Sequence, residues 1–361
     1  MRPASCLGLW LLALALCGRS ADAATFVYVH DYGDSNQVFA FRLGAGGLEP
    51  LDGSPFVGPD APMTPANQCG GQCQTLTYAR RAKLLLSTGP NGITPWRVAK
   101  DGSLEAVEGA PFGAVSSFHF GVAAAELGGA SFAYVVDYGE DDLYGFRIED
   151  DDSLSPLPSV SPLELGDGPL VVVARKRVLA ALNTGDTTLS SFRIEDDGAL
   201  VEAPGSPLAV GEAFAATLDF DPAGRHLYTG DRDSGDAFVF TVDPRSGALA
   251  PGAANPADTD LASTGLGFAL RRGPRGFALS IEGELQAFRR ARGGALLPLG
   301  EPSPLGFLPL AQALAGGRRL LAAANNLELR VVRLRAGGGV LPLVEASLGA
   351  SNVNAVVVVQ R

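Results

Sequence analysis

The sequence predicts an all-β fold, a seven-bladed β-propeller with four antiparallel strands in each blade. Three observations lead to this prediction. A pattern of strand, polar turn, strand, tight turn and strand recurs along the chain and is clearest over residues 132–163. The 46 Gly and 25 Pro residues fall at regular intervals, as turn residues do. No segment after the N-terminal stretch combines a helical period with capping residues.

Each copy of the repeat has a third strand that ends in an aromatic or apolar residue, usually followed by Arg. Successive copies are 55, 50, 46, 48, 48 and 44 residues apart, and four short strands in about 45 residues make one propeller blade. A Leu follows each marker after seven to nine residues. The markers are Phe41, Trp96, Phe146, Phe192, Phe240, Phe288 and Val332. A Pro ends six copies, at Pro55, Pro111, Pro162, Pro207, Pro256 and Pro304.

The two ends of the repeat region predict how the ring closes. The first repeat begins within a blade, at Thr25 to Val29, with no innermost strand before it. The last apolar run, Asn354 to Val359, is one strand more than the seventh blade needs. We therefore expect the C-terminal strand to become the inner strand of blade one, which would pair the backbone groups of both sheet ends.

The first 23 residues have the pattern of a cleavable signal peptide. Arg2 provides a basic region, residues 7–16 form a short apolar core, and Ala21 to Ala23 offers a small-x-small cleavage site. The sequence therefore predicts export to the periplasm or the medium. Residues 24–361 are expected to form a single seven-bladed domain.

The net charge limits the classes of partner. The part of the chain after the expected cleavage site has 26 basic and 38 acidic residues, a formal charge of −12. Such an acidic chain is not suited to nucleic acid or anionic lipid, and no later stretch is apolar and long enough to span a membrane. Residues 24–260 carry 14 basic and 33 acidic residues, whereas 261–361 carry 12 and 5. We expect a monomer whose partner is a small-molecule ligand or an envelope or extracellular protein.

The cysteines that remain after cleavage predict one local disulfide. Cys69 and Cys73 lie four positions apart, and an exported chain favours the oxidised form. A metal site would need two further ligands, and no His or other Cys is near them in sequence. The acidic turn at residues 231–236 lacks the Glu that an EF-hand loop has at its twelfth position, where Val242 stands. We expect no metal and no cofactor.

The motifs within the repeats resemble those of the seven-bladed lactonase propellers, the family of 6-phosphogluconolactonase-type enzymes and a muconate cyclase. The resemblance covers roughly residues 25–361. It rests on a strand followed by Asp-x-Gly, a strand ending in aromatic-Arg, an Asp-Gly-x-Leu turn and a Ser-Pro-aromatic or Ser-Pro-Leu segment. Examples are Asp31-Tyr32-Gly33, Asp137-Tyr138-Gly139, Phe146-Arg147, Asp101-Gly102-Ser103-Leu104 and Ser54-Pro55-Phe56.

The resemblance implies chemistry at the channel mouth, where the family has a Pro-His-x-His stretch with Arg and Glu from neighbouring inner strands. In that register this chain has Phe118 and Phe120, and its histidine, His119, lies between them. A lactonase needs a base to activate water and a donor for the developing oxyanion. The candidate catalytic residues are therefore His119, Glu212 and Asp219. Packing of His119 between its aromatic neighbours is the structural alternative.

Polar residues near the other inner strands are candidates for ligand binding, and none of them is Arg. They are Gln74, Gln312, Asn352 and Asn354. Two functions stay open on the sequence. One is a lactonase-like hydrolase that acts on a small sugar lactone or related ring ester. The other is a non-catalytic propeller that binds a ligand, glycan or envelope protein through its rim.

Overall fold

The computed structural model describes residues 24–360 except 34–35, 61–72, 114–118, 212–216, 232–233, 253–254, 262–266, 271–273, 315–319, 336–339 and 351. The predicted signal peptide lies outside the described residues, so export stays a prediction. Within the described ranges the chain forms seven antiparallel sheets of four or five strands each. The predicted all-β, seven-bladed propeller is confirmed.

The first three blades include residues 132–163, where the repeat is clearest in sequence. Blade one contains β1 (Thr25–Asp31), β2 (Gln37–Gly44), β3 (Gly47–Pro50) and β4 (Phe56–Val57). Blade two contains β5 (Leu76–Ala79), β6 (Leu84–Gly89), β7 (Gly92–Val98), β8 (Leu104–Ala106) and β9 (Phe112–Gly113). Blade three contains β10 (His119–Leu127), β11 (Ala130–Asp137), β12 (Asp142–Ile148), β13 (Leu154–Pro156), a 3₁₀ turn (Pro158–Val160) and β14 (Leu163–Glu164).

The next four blades repeat the same plan. Blade four contains β15 (Pro169–Arg175), β16 (Val178–Asn183), β17 (Thr188–Ile194), β18 (Leu200–Glu202) and β19 (Leu208–Ala209). Blade five contains β20 (Asp219–Phe220), β21 (His226–Gly230), β22 (Ala237–Val242) and β23 (Leu249–Pro251). Blade six contains β24 (Gly267–Leu270), β25 (Arg275–Leu279), β26 (Glu284–Arg290), β27 (Leu296–Pro298) and β28 (Ser303–Pro304). Blade seven contains β29 (Ala311–Leu314), β30 (Leu320–Ala324), β31 (Glu328–Leu334) and β32 (Val340–Ser347).

The C-terminal strand β33 (Val353–Gln360) closes the ring, as the sequence predicts. It pairs antiparallel with β1 from Thr25 opposite Gln360 to Asp31 opposite Val353. Blade one therefore has the order β3-β2-β1-β33 from outside to inside. The inner strands of successive blades contact one another around the whole ring.

The hydrophobic core is divided among the interfaces between blades. Seven of the clusters of buried side chains in the described structure each join two neighbouring blades. In β1, Phe26 and Tyr28 pack towards blade two, whereas Val27 and Val29 pack towards blade seven. Because side chains alternate between the two faces of a strand, both faces being buried makes the strand apolar throughout.

The Ser-Pro segments stabilise the third strand of their own blade. Ser54 Oγ accepts the backbone N–H of Ala40 at 2.9 Å, and Ser206 Oγ accepts that of Ser191 at 3.1 Å. In blade two the corresponding third-strand residue is Pro95, which has no N–H, and Ala110 replaces the serine. Donor and acceptor are therefore absent together. This motif serves the fold and not the chemistry.

A recurring tyrosine ties alternate blades to the next blade. The hydroxyl groups of Tyr28, Tyr134 and Tyr228 donate to the carbonyl oxygens of Gly102, Gly198 and Gly294 at 2.8, 2.7 and 3.0 Å. These glycines have φ of +93, +90 and +85°, and an added Cβ would lie within 2.5 Å of Phe26, Phe132 and His226 respectively. His226 therefore occupies the position of a packing aromatic residue, which gives it a structural role.

Antiparallel order places two kinds of connection at each end of the ring. At one end, which we call the upper face, lie the turns between second and third strands and the connections from each blade to the next inner strand. At the other end, the lower face, lie the turns between first and second and between third and fourth strands. Of the candidate site residues that the structure describes with their side chains, Gln74, Asp219, Asn352 and Asn354 lie at or near the upper end of an inner strand.

Deletion of residues 354–361 should destabilise the protein far more than loss of a tail. The deletion removes nearly all of β33, uncovers β1 and leaves blade one without an inner strand. We expect the loss to be comparable to the whole stability of a domain, about 5–15 kcal/mol, so that the variant is insoluble or lacks a cooperative transition. Thermal unfolding compared with a variant lacking only Arg361 measures it. A cooperative transition with a midpoint near that of the control would contradict the role of β33 in closure.

Ser206→Ala should lower the free energy of unfolding by about 1 kcal/mol, the net value of a typical hydrogen bond. The reverse change in blade two, Ala110→Ser, should have no comparable stabilising effect because Pro95 offers no N–H. Denaturant titration of both variants measures the difference. Equal and opposite effects would show that the serine acts through something other than this bond.

Candidate functional site

A side chain of blade two reaches across the channel. Gln74 Nε2 donates to the carbonyl oxygen of Leu218 at 3.3 Å, across 144 sequence positions and from blade two to blade five. These blades lie on opposite sides of the ring, so the passage is narrow at this level. Gln74 also anchors the next inner strand, because its carbonyl oxygen accepts the N–H of Val122 at 3.1 Å.

The backbone of Gln74 is in the left-handed region, with φ of +47°. For a non-Gly residue this conformation carries a cost of roughly 1–2 kcal/mol. Strain of this kind is found where the surrounding structure holds a side chain in one required direction. At Gln74 that direction points the side-chain amide across the axis of the channel towards Leu218.

Asp219 lies next to Leu218, and its carboxyl group bridges two inner strands. Its Oδ2 accepts the N–H of Phe268 in β24 at 3.1 Å, and the residue as a whole is half-buried. Burial within the ring raises the pKa of Asp219 to about 7, although the Phe268 N–H opposes this rise. Gly267, with φ of +96°, leaves room for this contact, since an added Cβ would lie 3.2 Å from Asp219 Oδ2. A carboxyl group poised near neutral pH suits proton transfer.

The structure thus brings two of the candidates together, Gln74 and Asp219, through Leu218. It describes less of the others. The backbone of His119 begins β10 opposite Asp137, and that of Gln312 lies in β29 opposite Ala323. The side chains of His119 and Gln312, and the whole of Glu212, lie outside the described part of the structure. Their proposed roles stay predictions.

The asparagine candidates lie where β33 enters blade one. The N–H of Asn352 donates to Asp31 Oδ1 at 2.7 Å, and its carbonyl oxygen accepts the N–H of Tyr32 at 2.9 Å. Asn354 is only 1% exposed. The geometry at Asn352 fixes the closing strand against the turn after β1, and ligand binding by either residue stays a prediction.

A buried polar network of the upper face contains none of the predicted site residues. His30 Nδ1 contacts Thr75 Oγ1 at 2.7 Å, which links blades one and two, and His30 Nε2 contacts Asn36 Oδ1 at 2.9 Å. Burial lowers the pKa of His30 to about 4, so the ring is neutral at physiological pH. Its contribution to stability is complete above its ordinary pKa of 6.5 and declines as the pH falls towards 4.

A buried carboxylate completes this network. Asp60 is 7% exposed, and its Oδ1 accepts the side-chain amide of Asn91 at 2.7 Å and the backbone N–H of Asn91 at 3.2 Å. It comes close to Asn36 over Gly89, where an added Cβ would lie 1.9 Å from Asp60 Oδ2. The network fastens the start of the long connection to blade two. No sequence pattern indicates it, because its members come from two blades and a loop.

An aromatic row leads from this network to the surface. The rings of Tyr32 and Phe120 are 5.9 Å apart, and those of Phe120 and Tyr138 are 5.5 Å apart. Tyr32 is fully buried, whereas Tyr138 is 42% exposed. Burial raises the pKa of Tyr32 well above its usual value, and Asp60 and Asp137 raise it further. Tyr138 offers a flat surface at the rim to which a ligand ring can stack.

Cys73 is fully buried and packs with Tyr32 and Phe120. Cys69, its predicted partner, lies outside the described residues, so the disulfide stays a prediction.

Within the described ranges no group of three or more His, Cys, Asp or Glu side chains is placed to hold a metal ion. At the predicted acidic turn of blade five, Ser234 Oγ contacts Asp231 and Asp236 at 2.8 and 3.1 Å. Among the described segments, no helix is both long and apolar enough to cross a membrane.

Comparison with known proteins supports the lactonase resemblance. The sequence model of the family described as "Lactonase, 7-bladed beta-propeller" matches residues 170–260. No curated protein matches the sequence. The chain therefore resembles the lactonase propellers in sequence over blades four and five.

Solved structures extend the resemblance in fold to nearly the whole chain. A candidate 6-phosphogluconolactonase from Bacteroides fragilis has a TM-score of 0.71 and 14% identity, with 95% of this chain and 99% of that chain covered. A second, from Bacteroides uniformis, has a TM-score of 0.71 and 16% identity, with 94% and 100% covered. The periplasmic gluconolactonase of Pseudomonas aeruginosa has a TM-score of 0.62 and 18% identity, with 93% and 99% covered. At these identities the likeness concerns the fold.

Proposed function

We propose that this lactonase-type propeller is an exported hydrolase that opens a small sugar lactone or related ring ester in the channel beneath its upper face. The observation that carries the proposal is the carboxyl group of Asp219, an inner-strand residue whose pKa is raised by burial to about 7. The amide of Gln74 reaches the adjacent residue from the opposite blade. These contacts support the proposal of a base and a neutral hydrogen-bond donor in the same part of the inner ring.

The proposed reaction uses Asp219 as the general base. Its carboxylate takes a proton from a water molecule, and the hydroxide attacks the carbonyl carbon of the lactone. An amide has two N–H donors, and Leu218 accepts one of those of Gln74. The other can donate to the oxyanion that forms on the carbonyl oxygen. When the ring C–O bond breaks, the leaving oxygen takes the proton back from Asp219, which yields the open hydroxy acid.

Asp219→Asn should reduce kcat/KM for glucono-δ-lactone by about 10²–10⁴-fold, the usual contribution of a general base. The amide oxygen can still accept the Phe268 N–H, so the fold should be kept. The wild-type rate should rise with pH through about 7, because only the ionised carboxyl group acts as a base. Proton release measured at constant pH follows both effects.

The matched control is Asp150→Asn, which removes an exposed carboxylate from the lower face. Gln74→Ala should lower kcat, since it removes the oxyanion donor. His119→Ala tests the competing assignment of the base. Full activity of Asp219→Asn together with inactive His119→Ala would transfer the role to His119. Full activity of both variants would remove both residues from the mechanism.

The alternative function, ligand binding without catalysis, is supported by the aromatic row that ends at the exposed ring of Tyr138. Exposed aromatic rings at a propeller rim suit the apolar faces of sugars. Binding of gluconate or a glycan by a protein that hydrolyses none of the lactones offered would favour this function.

Export makes one further prediction for the protein recovered from its native compartment. It should begin at Ala24, after cleavage at the small-x-small site, and its mass should be lower by two hydrogen atoms because Cys69 and Cys73 are joined. Intact mass spectrometry before and after reduction measures both. An uncleaved N-terminus would contradict export, and an unchanged mass on reduction would contradict the disulfide.

A further inference from the structure

The described part of the upper face carries several exposed carboxylates. They come from the second-to-third-strand turns and from the connections between blades. Exposed examples are Glu140, Glu164, Asp167, Asp186 and Asp258. No Lys or Arg occurs in the described part of these turns and connections. The mouth of the channel therefore has a field of one sign.

The basic residues lie at the other end of the molecule. Among the described residues, every Lys and Arg except Arg330 belongs to a lower-face turn or to the strand end beside it. Examples are Arg81, Lys100, Lys176 and Arg245. The acidic and basic residues therefore differ in distribution in two ways. They are unequal between residues 24–260 and 261–361, and they are also separated between the upper and lower faces.

The single exception does not supply a cation to the mouth. Arg330 is paired with Glu328 at 3.0 Å and Glu345 at 3.7 Å, donates to the carbonyl oxygen of Leu305 at 2.9 Å, and lies over the ring of Phe307. In the sequence segments that join upper-face elements outside the described residues, the one basic position is Arg232, between Asp231 and Asp233.

Two exposed apolar side chains also lie at the upper rim. Leu308 and Leu327 of blade seven are 65% and 76% exposed. They lie close together, because Asn325 Nδ2 donates to the carbonyl oxygen of Leu308 at 3.1 Å. Together with Tyr138 across the mouth, these side chains can contact an uncharged ligand, but none can neutralise a phosphate group. Phosphate recognition ordinarily uses Arg, Lys or helix N-termini.

The carboxylates at the rim influence one another. Burial raises the pKa of Asp142, and the neighbouring carboxylates of Asp137, Glu140, Glu164 and Asp141 raise it further. Mutual repulsion of this kind is the local sign of a negative potential. Clefts lined by one sign of charge change the local concentration of charged ligands about 10–10³-fold.

We infer that the channel admits an uncharged lactone and discriminates against phosphorylated or otherwise anionic lactones. This inference rests on the proposed function, since it names the substrate class of the same site. The restriction comes from the field of the upper face and from the lack of a phosphate-binding group in its described part.

The test compares kcat/KM of the wild-type protein for glucono-δ-lactone and for its 6-phosphate at low ionic strength. We expect the uncharged lactone to be favoured by at least about 10-fold, with the ratio falling as salt screens the rim. A higher kcat/KM for the phosphorylated lactone would overturn the inference and leave the proposed hydrolase intact.

Charge reversal locates the effect. The double variant Glu140→Lys/Glu164→Lys should raise relative kcat/KM for the phosphorylated lactone about 3–10-fold at low salt. The matched control, Asp150→Lys/Glu105→Lys on the lower side of the ring, should leave the ratio near that of the wild type. An equal shift of the kcat/KM ratio in both double variants would show that the net charge of the protein, and not the charge at the channel mouth, sets the selectivity.

Measurements of ligand binding test the charge selectivity even if the protein hydrolyses no lactone. If neither lactone is hydrolysed, the proposed function fails, and calorimetric titration with gluconate and 6-phosphogluconate still measures the preference of the site. Tighter binding of gluconate would retain the charge selectivity for a binding protein. Equal or tighter binding of 6-phosphogluconate, or no binding of either, would overturn it.

Discussion

Closure of the ring is the constraint on which the rest of the structure depends. Each blade is a small sheet with two apolar faces, and each face is covered only by the next blade. No blade can bury its residues alone, so the energetics resemble those of a repeat protein whose ends must be capped. Here the pairing of β33 with β1 takes the place of caps. The inner strands, and therefore the channel, are defined only once that pair has formed.

This dependence explains why the fold could be predicted from the sequence. Every blade has to bury two apolar faces against its neighbours. Turn residues, apolar strands and Ser-Pro segments therefore recur at similar spacing. Blade two departs from the repeat at both ends of the Ser-Pro hydrogen bond. Pro95 has no N–H to donate, and Ala110 has no side-chain oxygen to accept. His226 has no partner in the sequence pattern, and the structure explains it as the counterpart of Phe26 and Phe132.

The site was less predictable, because its contacts cross between blades. The bond from Gln74 to Leu218 spans half the ring, and the contact from His30 to Thr75 joins two blades. Neither pair has a sequence spacing that repeats, since each depends on the register and width of the finished ring. Gln74 and Asp219 could be picked as polar residues near inner strands. That they approach each other through Leu218 could not.

The charge on the two faces has a consequence for turnover if the proposed reaction is the one catalysed. Opening an uncharged lactone produces a hydroxy acid that is ionised at neutral pH. The reaction therefore changes a molecule on which the upper-face field has little effect into one that the field repels. Asp219 lies below that rim with a pKa of about 7 and regains its base form with each proton it returns. The same carboxylates that exclude an anionic substrate thus favour departure of an anionic product, which links the selectivity of the mouth to the direction of the chemistry beneath it.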